Sequence, residues 1–436
     1  MNISVIGVGY VGLVSAACLA SMGNHVTCID KNNRLTRNLS RAKIHFFEPS
    51  LQELVDSNSS SGNLRFSVSY RKIAHSECIF VCVNTPADLQ GKPNLTNFDQ
   101  SIDSILRHAK DGALICIKST VPLGTHCRIQ KKINLLLKEE GKSLYVCSNP
   151  EFLKEGSAVQ DFLRPDRIII GTNDEEVKKI TTILYGPLNQ KRKKMIFMSP
   201  ESAELTKYAA NAYLATRISF INEISALSES VNADINEIRY GMGSDQRIGN
   251  EFLYAGIGFG GSCFPKDLQA LISFQKDALL EPGICEAAFH SNKMQVLRFA
   301  KKIKKAYGSS AKNKKIAIWG LSFKPNTDDI RESPAIKLVR ELSPHFSALH
   351  LYDPIALSNA KNDLHDILNL RYFKDKYTAT NHTHGLVLCT EWKEFWNPDF
   401  SSMQLMKENR IFDGRNAMNK SSVVDAGYVY NGIGIT

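Results

Sequence analysis

The first thirty residues leave this chain little choice of architecture. Asn2-Ile3-Ser4-Val5-Ile6 is an apolar run that stops at a glycine, the pattern of a strand buried on both faces. It leads into Gly7-Val8-Gly9-Tyr10-Val11-Gly12, then a segment of helical periodicity from Leu13 to Met22, then a second strand, His25-Val26-Thr27-Cys28-Ile29. Asp30 stands at the carboxyl end of that strand. Strand, G-x-G-x-x-G, helix, strand, acid is the order that a dinucleotide-binding unit requires. Gly7 makes the turn, Gly9 admits a pyrophosphate, and Gly12 lets helix and sheet close, with the first amide groups of the helix facing the phosphates. An acid at position 30 accepts from ribose hydroxyls and repels a 2′-phosphate, so NAD is expected in preference to NADP. Lys31 and Arg34, close by, work against that discrimination.

Further apolar runs follow, each ending in a loop of small polar residues and prolines. Cys78–Val83 ends in Asn84-Thr85-Pro86, Leu114–Lys118 in Ser119-Thr120-Val121-Pro122, and Tyr145–Ser148 in Asn149-Pro150-Glu151-Phe152. In an open parallel sheet these carboxyl ends form the ligand crevice; singly, each is no more than a turn. Glu151 and Glu155, four apart in Glu151-Phe152-Leu153-Lys154-Glu155-Gly156, share a face if the segment is helical. From Ser202 to about Asn232 no glycine or proline interrupts the chain, and Leu205, Tyr208, Ala212, Tyr213, Phe220, Ile224 and Leu227 recur at helical spacing. This predicts one long connecting helix with a broad apolar stripe that also meets another subunit. Lys207 and Asn211, four apart on it, project side by side.

The last third repeats the strand–helix alternation without the glycine motif. Lys315–Trp319 ends in Gly320, Ser333-Pro334 is suited to capping and starting a helix, and further strands are expected at His350–Tyr352, Leu386–Cys389 and Arg410–Phe412. Lys324, Arg331 and Arg415 fall in loops after strands, where cations meet a phosphate-bearing ligand or are simply surface charges. The predicted fold is α/β, two Rossmann-like doubly wound domains joined by a long central helix. The expected division is 1–200, 201–298 and 299–436, the middle part being helical and dimerising.

One loop stands apart: Gly256-Ile257-Gly258-Phe259-Gly260-Gly261-Ser262-Cys263-Phe264-Pro265-Lys266-Asp267. A cysteine is often a small buried hydrophobe, as Cys78, Cys82, Cys116 and Cys147 within strand-like runs are expected to be. Cys263 is set instead behind crowded glycines and ahead of a lysine and a carboxylate, and a cation nearby favours the thiolate. The ten cysteines show no Cys-x-x-Cys pair, and His382-x-His384 alone makes no zinc site, so no metal is expected. The net charge of +10 is spread out apart from Lys191–Lys194 and the Lys301–Lys315 region, neither interleaved with aromatics, so no nucleic-acid partner is expected. With no signal-peptide pattern and no membrane-length apolar run, a cytoplasmic, reduced protein without membrane association is expected.

Taken in order, these motifs resemble the UDP-glucose/GDP-mannose dehydrogenases, the nucleotide-sugar dehydrogenase family. The likeness runs nearly end to end: Gly7 to Gly12 with Asp30, Asn84-Thr85-Pro86, Ser119 to Pro122, Asn149 to Gly156, Lys207 with Asn211, Gly258 to Asp267, Phe323-Lys324-Pro325, and Asp413-Gly414-Arg415. The resemblance implies a two-step, four-electron oxidation of a sugar C6 alcohol to a carboxylate, using two NAD, through a thiohemiacetal and a thioester on Cys263. It implies that Lys207 stabilises charge on the C6 oxygen beside Asn211. It implies further that Asp267 and Glu151 handle protons and the hydrolytic water, with Thr120 helping to position that water. Cofactor contacts are implied at Gly7, Gly9, Tyr10, Val11, Gly12, Asp30, Thr85, Pro86, Thr120, Glu155 and Arg331. Sugar-nucleotide contacts are implied at Glu151, Phe152, Leu153, Glu155, Lys207, Asn211, Tyr254, Gly258, Phe259, Gly260, Lys324 and Arg415. The resemblance also implies that Arg247 reaches a neighbouring subunit's sugar, so a homodimer or larger assembly is expected.

Two positions depart from the family pattern. Leu35 stands where a basic residue is usual, with Arg34 beside it as the candidate replacement, and Tyr254 stands where bacterial relatives often carry histidine. Gly261 to Asp267 resembles the branch acting on UDP-glucose; GDP-mannose and UDP-N-acetylhexosamines are the alternatives, and the acetamido-sugar branch tends to have histidine where this chain has Ser262. A nucleotide-sugar sensor without catalysis would tolerate loss of Cys263, Lys207 or Asp267, and all three are present.

Overall fold

The computed structural model describes residues 1–86, 88, 91–137, 141–189 and 193–435; Lys191 and Arg192 of the first basic cluster lie outside them. The chain forms two compact units, Met1–Ala210 and Asn211–Thr436. Among the described residues, no helix is long and apolar enough to cross a membrane.

The first unit holds eight strands: β1 (Asn2–Ile6), β2 (His25–Ile29), β3 (Leu64–Ser67), β4 (Cys78–Val81), β5 (Leu114–Ile117), β6 (Tyr145–Ser148), β7 (Ile168–Gly171) and β8 (Met195–Met198). Their order is β3-β2-β1-β4-β5-β6-β7-β8, parallel except where β7 meets β6 antiparallel. Strands β4, β5 and β7 are buried at every position because helices cover both faces, which is why they are unbroken apolar runs rather than alternating ones. One apolar core lies around the Tyr10–Ser21 helix and the other around the helices Thr96–His108 and Thr125–Leu137. Register does the work that matters for function. Ile6 pairs with Ile29 and Val81, Val81 with Ile117, and Ile117 with Ser148, so the five strands end in line. Gly7, Asp30, Cys82, Lys118 and Asn149 therefore begin adjacent loops along one sheet edge. The strand order reverses between β1 and β4, which makes that edge the place for a ligand.

The second unit's sheet comprises β9 (Lys315–Trp319), β10 (Ala348–Tyr352), β11 (Leu370–Tyr372), β12 (Leu386–Leu388), β13 (Arg410–Asp413) and β14 (Val429–Asn431). It is all parallel, in the order β11-β10-β9-β12-β13-β14. Trp319 pairs with Tyr352 and Leu388, and Leu388 with Asp413, so the loops carrying Lys324, Arg331 and Arg415 start from neighbouring strand ends. Trp319 is fully buried against Phe395 and Tyr377, its indole N–H satisfied by the Lys376 carbonyl at 2.9 Å.

Four strands escaped the sequence reading, β3, β8, β11 and β14. All are edge strands of three or four residues with half-exposed patterns, too short to show a period. The expected connecting helix spans Pro200–Ser230, and a second long one, Gly283–Tyr307, was not anticipated. The expected apolar stripe is divided. Tyr208, Ala212 and Ile221 are buried, whereas Leu205, Tyr213, Phe220 and Leu227 are exposed. Much of what this helix buries is polar: Glu204, Lys207, Asn211, Ser219, Asn222, Ser225 and Ser228. Its interior face is chosen for hydrogen bonding as much as for packing.

Candidate active site

At the end of β1 the glycines fit a dinucleotide for distinct steric reasons. Gly7 has φ of 88°, and a Cβ on Gly12 would lie 1.9 Å from the Gly7 carbonyl oxygen, so the helix Tyr10–Ser21 starts only because Gly12 has no side chain. A Cβ on Gly9 would meet only the Asn84 side chain, 3.4 Å away at the nearest, which leaves its backbone open to an approaching phosphate. The helix begins without a side-chain cap, so its first amide groups are available to an anion. Asp30 is anchored towards this loop: one oxygen accepts from the Val8 N–H at 3.0 Å and the other from the Asn32 N–H at 2.9 Å. Lys31 donates to Asn97 at 2.7 Å. Across the next two strand ends the Thr85 hydroxyl donates to the Thr120 carbonyl at 2.7 Å, and the Pro86 carbonyl accepts from the Asn94 N–H at 2.8 Å. Val11 packs, partly buried, on the apolar core. Asp30→Ala is expected to weaken NADH binding about tenfold and to narrow the preference over NADPH, both measurable by fluorescence titration.

The loop after β6 carries a buried ion pair. Lys207 Nζ lies 2.9 Å from Glu151 Oε1, with both side chains 5% exposed. Burial alone would push the Glu151 carboxyl up. The Lys207 ammonium, the Leu153 N–H at 2.7 Å and the more distant Lys118 ammonium outweigh burial and hold it below the usual carboxylate range. The Phe152 ring lies 4.0 Å from the Arg167 guanidinium and 5.3 Å from the Lys207 ammonium. Glu151 and Glu155 do not share a helix face. Residues 151–157 form a loop and turn, and the helix starts only at Ala158. Pro150 precedes the segment, and Glu151 spends one carboxylate oxygen on the Leu153 amide two residues on, closing a local turn in place of a helical one. Glu155 is buried all the same.

In the second unit the glycine-rich loop ends at Cys263, the cap residue of the helix Phe264–Asp277, with Pro265 in its first turn. The sulfur is half-buried, 3.6 Å from the Ser262 hydroxyl, at the end of a helix that favours negative charge. One turn along, Asp267 is 1% exposed and accepts from the Asn211 side-chain amide at 2.7 Å. Lys266 Nζ lies 3.3 Å from the other Asp267 oxygen, without hydrogen-bond geometry. The loop glycines are crowded by the protein itself. A Cβ on Gly260 would lie 2.4 Å from the Glu332 carbonyl oxygen, and one on Gly261 would lie 2.7 Å from the Phe323 ring. Asn292 accepts from the Phe259 N–H at 2.8 Å and donates to the Phe259 carbonyl at 3.0 Å, holding the main chain beside Gly258.

The cations of this unit are already engaged. Arg415 donates to the carbonyls of Cys389 (2.8 Å), Gly258 (3.1 Å) and Phe323 (3.3 Å), tying three loops together, and lies 3.2 Å from Glu391. Arg331 pairs with Asp329 at 2.6 Å, and the Lys324 ammonium lies 5.4 Å from the Phe323 ring. Tyr254 is exposed, with the Arg239 guanidinium 4.4 Å from its ring. Arg247, 89% exposed, pairs with Asp245 at 2.6 Å.

Two buried charged groups beside the first sheet edge were not singled out from sequence. Lys118, which ends the β5 run, places its ammonium 3.4 Å from Asn149 Oδ1, and burial lowers its pKa against the pull of Cys82 and Glu151. Glu48 lies in an irregular segment between two helices. Nothing in periodicity marks either one, though a lysine closing an otherwise apolar strand is a usable signal.

Models of the UDP-glucose/GDP-mannose dehydrogenase family match the chain in order: the NAD binding domain over residues 1–189, the central domain over 201–294 and the UDP binding domain over 317–420. A UDP-glucose 6-dehydrogenase of Bacillus subtilis is 40% identical, covering 100% of this chain and 98% of its own length. One of Pseudomonas aeruginosa is 37% identical, covering 100% and 97%. The solved structure of a UDP-glucose dehydrogenase from the archaeon Pyrobaculum islandicum superposes with a TM-score of 0.88 at 32% identity, over 100% of this chain and 98% of that one.

Proposed function

The chain belongs to the UDP-glucose/GDP-mannose dehydrogenase family, and from that premise we propose that it oxidises UDP-glucose to UDP-glucuronate, consuming two NAD and one water. NAD supplies the acceptor for a hydride from C6 in each of the two oxidations. In the first, the C6 alcohol loses a hydride and its hydroxyl proton to give an aldehyde. Lys207 stabilises the charge that develops on the oxygen, with Asn211 beside it. The Cys263 sulfur then adds to the aldehyde carbon, and the oxygen takes up a proton to give a thiohemiacetal. A second loss of hydride and hydroxyl proton leaves a thioester. Water attacks that carbonyl, the C–S bond breaks, and the carboxylate departs while Cys263 is restored. Glu151 and Asp267 take the protons, and Thr120 positions the water.

The observation that carries this reading is the setting of Cys263. It stands at a helix start with a buried carboxylate one turn further on, and that carboxylate is held by Asn211. A chain needing only one oxidation has no use for a nucleophilic sulfur there. A second cluster supports it: the Lys207–Glu151 pair keeps a carboxylate ionised while buried, as a base for the hydrolytic step must be.

The same proposal includes the division into 1–200, 201–298 and 299–436, and the cytoplasmic setting. Gly7, Gly9, Tyr10, Val11, Gly12, Asp30, Thr85, Pro86, Thr120, Glu155 and Arg331 meet the cofactor. Phe152, Leu153, Tyr254, Gly258, Phe259, Gly260, Lys324 and Arg415 meet the sugar nucleotide. Assembly as a homodimer or larger, with Arg247 reaching the neighbour's substrate, is supported by the exposed line of Leu205, Tyr213, Phe220 and Leu227.

NADH yield across a panel of UDP-glucose, GDP-mannose and UDP-N-acetylhexosamines tests the reading. About two NADH per UDP-glucose, with little from the others, is expected. One NADH per sugar, or none from UDP-glucose, sinks it.

A further inference from the structure

The segment between the helices Asn33–Leu39 and Leu51–Ser60 has no part in the chemistry above, yet it carries a buried carboxylate to the dinucleotide loop. Glu48 is 3% exposed. Its Oε2 accepts from the Tyr10 hydroxyl and from the Gly156 N–H at 2.6 Å, and its Oε1 accepts from the Ala158 N–H at 2.7 Å. The Gly156 N–H also reaches the Tyr10 oxygen, at 3.2 Å. Phe46, from the same segment, lies with its ring centroid 4.8 Å from that of Tyr10. An ionised carboxylate offers acceptors only, and here donors meet both of its oxygens. Burial raises the Glu48 pKa above the usual carboxylate value, and the donors from Tyr10, Gly156, Ala158 and Val159 offset only part of that rise.

These donors come from two separated stretches of chain. Tyr10 is the first residue of the helix whose amides face the cofactor, and Gly156 follows Glu155 directly. A side chain needed only to fill the space would be apolar, because a buried carboxylate costs free energy unless its acceptors are used. Here they are used to join the two stretches.

We propose that Glu48 is a positioning residue of the cofactor site: it locks the Tyr10 hydroxyl to the Glu155–Gly156 turn, so that both cofactor-contact segments hold one arrangement. The inference rests on the assignment of Tyr10 and Glu155 to NAD and is independent of which sugar is oxidised. Glutamine at position 48 keeps the size but turns an NH2 group against one of the surrounding donors. Phenylalanine at position 10 removes a single oxygen and no packing, so it tests the link without endangering the fold.

The experiment titrates NADH and, separately, UDP into full-length wild type, Glu48→Gln, Tyr10→Phe and the double variant. NADH affinity is expected to fall about tenfold in Glu48→Gln and about fivefold in Tyr10→Phe, with UDP affinity held within about twofold. The double variant is expected to be no weaker than Glu48→Gln by more than about twofold, since both changes cut the same link. Unchanged NADH affinity in both single variants overturns the proposal. So do NADH and UDP affinities falling together, the mark of a general structural role, and losses that multiply in the double variant. A wild type that binds NADH without oxidising UDP-glucose overturns the substrate reading alone and leaves this test standing.

Discussion

Cys263→Ser is expected to release no UDP-glucuronate and to yield at most about one NADH per active site, a loss in steady-state kcat of about a thousandfold or more. A serine hydroxyl keeps the shape of the loop but is far less nucleophilic than sulfur at neutral pH. The aldehyde is then neither captured nor prepared for its second oxidation. Single-turnover absorbance at the NADH band, with chromatography of the sugar nucleotides, reads both quantities. NADH affinity is expected to stay unchanged, because the glycine motif and Asp30 belong to a different unit of the chain from Cys263. Turnover within tenfold of wild type would remove sulfur from the mechanism, and weakened NADH binding would make the loop a cofactor element instead.

Lys207→Met is expected to be the second severe variant, for two separable reasons. Catalysis loses the cation at the C6 oxygen, a fall in kcat of about a hundredfold or more. Stability falls as well, because Glu151 keeps its burial and loses its partner; breaking a buried pair on one side costs about 3–5 kcal/mol. The pH dependence identifies the cause. Glu151 has its carboxyl held below the usual range in the folded chain, so the stability it contributes is present above the unfolded carboxylate pKa of about 4.3 and is lost as pH falls through the lower folded value. In Lys207→Met that contribution disappears. Denaturant midpoints for wild type and variant should therefore lie far apart at neutral pH and converge in acid. Parallel curves across that range would mean that Lys207 matters to packing and not to the charge on Glu151.

Much of the architecture was legible because each signal was local. Ile3 to Ile6 and Cys78 to Val81 form strands where an apolar run stops at a polar loop, and Ser333-Pro334 caps and starts a helix, the serine oxygen accepting from the Ala335 N–H at 3.2 Å. Gly12 was legible for the same reason: its neighbour in space, Gly7, is five residues away. The Glu151–Glu155 pair misled because spacing by four suggests a helix only where the backbone turns helically, and a carboxylate that caps its own turn prevents that. Glu48 went unseen because its partners, Tyr10 and Gly156, stand 38 and 108 residues away.

By itself the sequence determined two α/β units, a dinucleotide turn at Gly7 to Gly12, and a lone cysteine set in a glycine-rich loop ahead of a lysine and a carboxylate. The tertiary structure alone decided which buried polar groups belong together: Lys207 with Glu151, and Asn211 with Asp267. It also showed that Gly260 and Gly261 are small because Glu332 and Phe323 press against them. Strands, turns and helix starts follow from interactions a few residues long, which spacing records. A buried charge or a crowded glycine answers to whatever the fold brings beside it, and spacing along the chain carries no record of that.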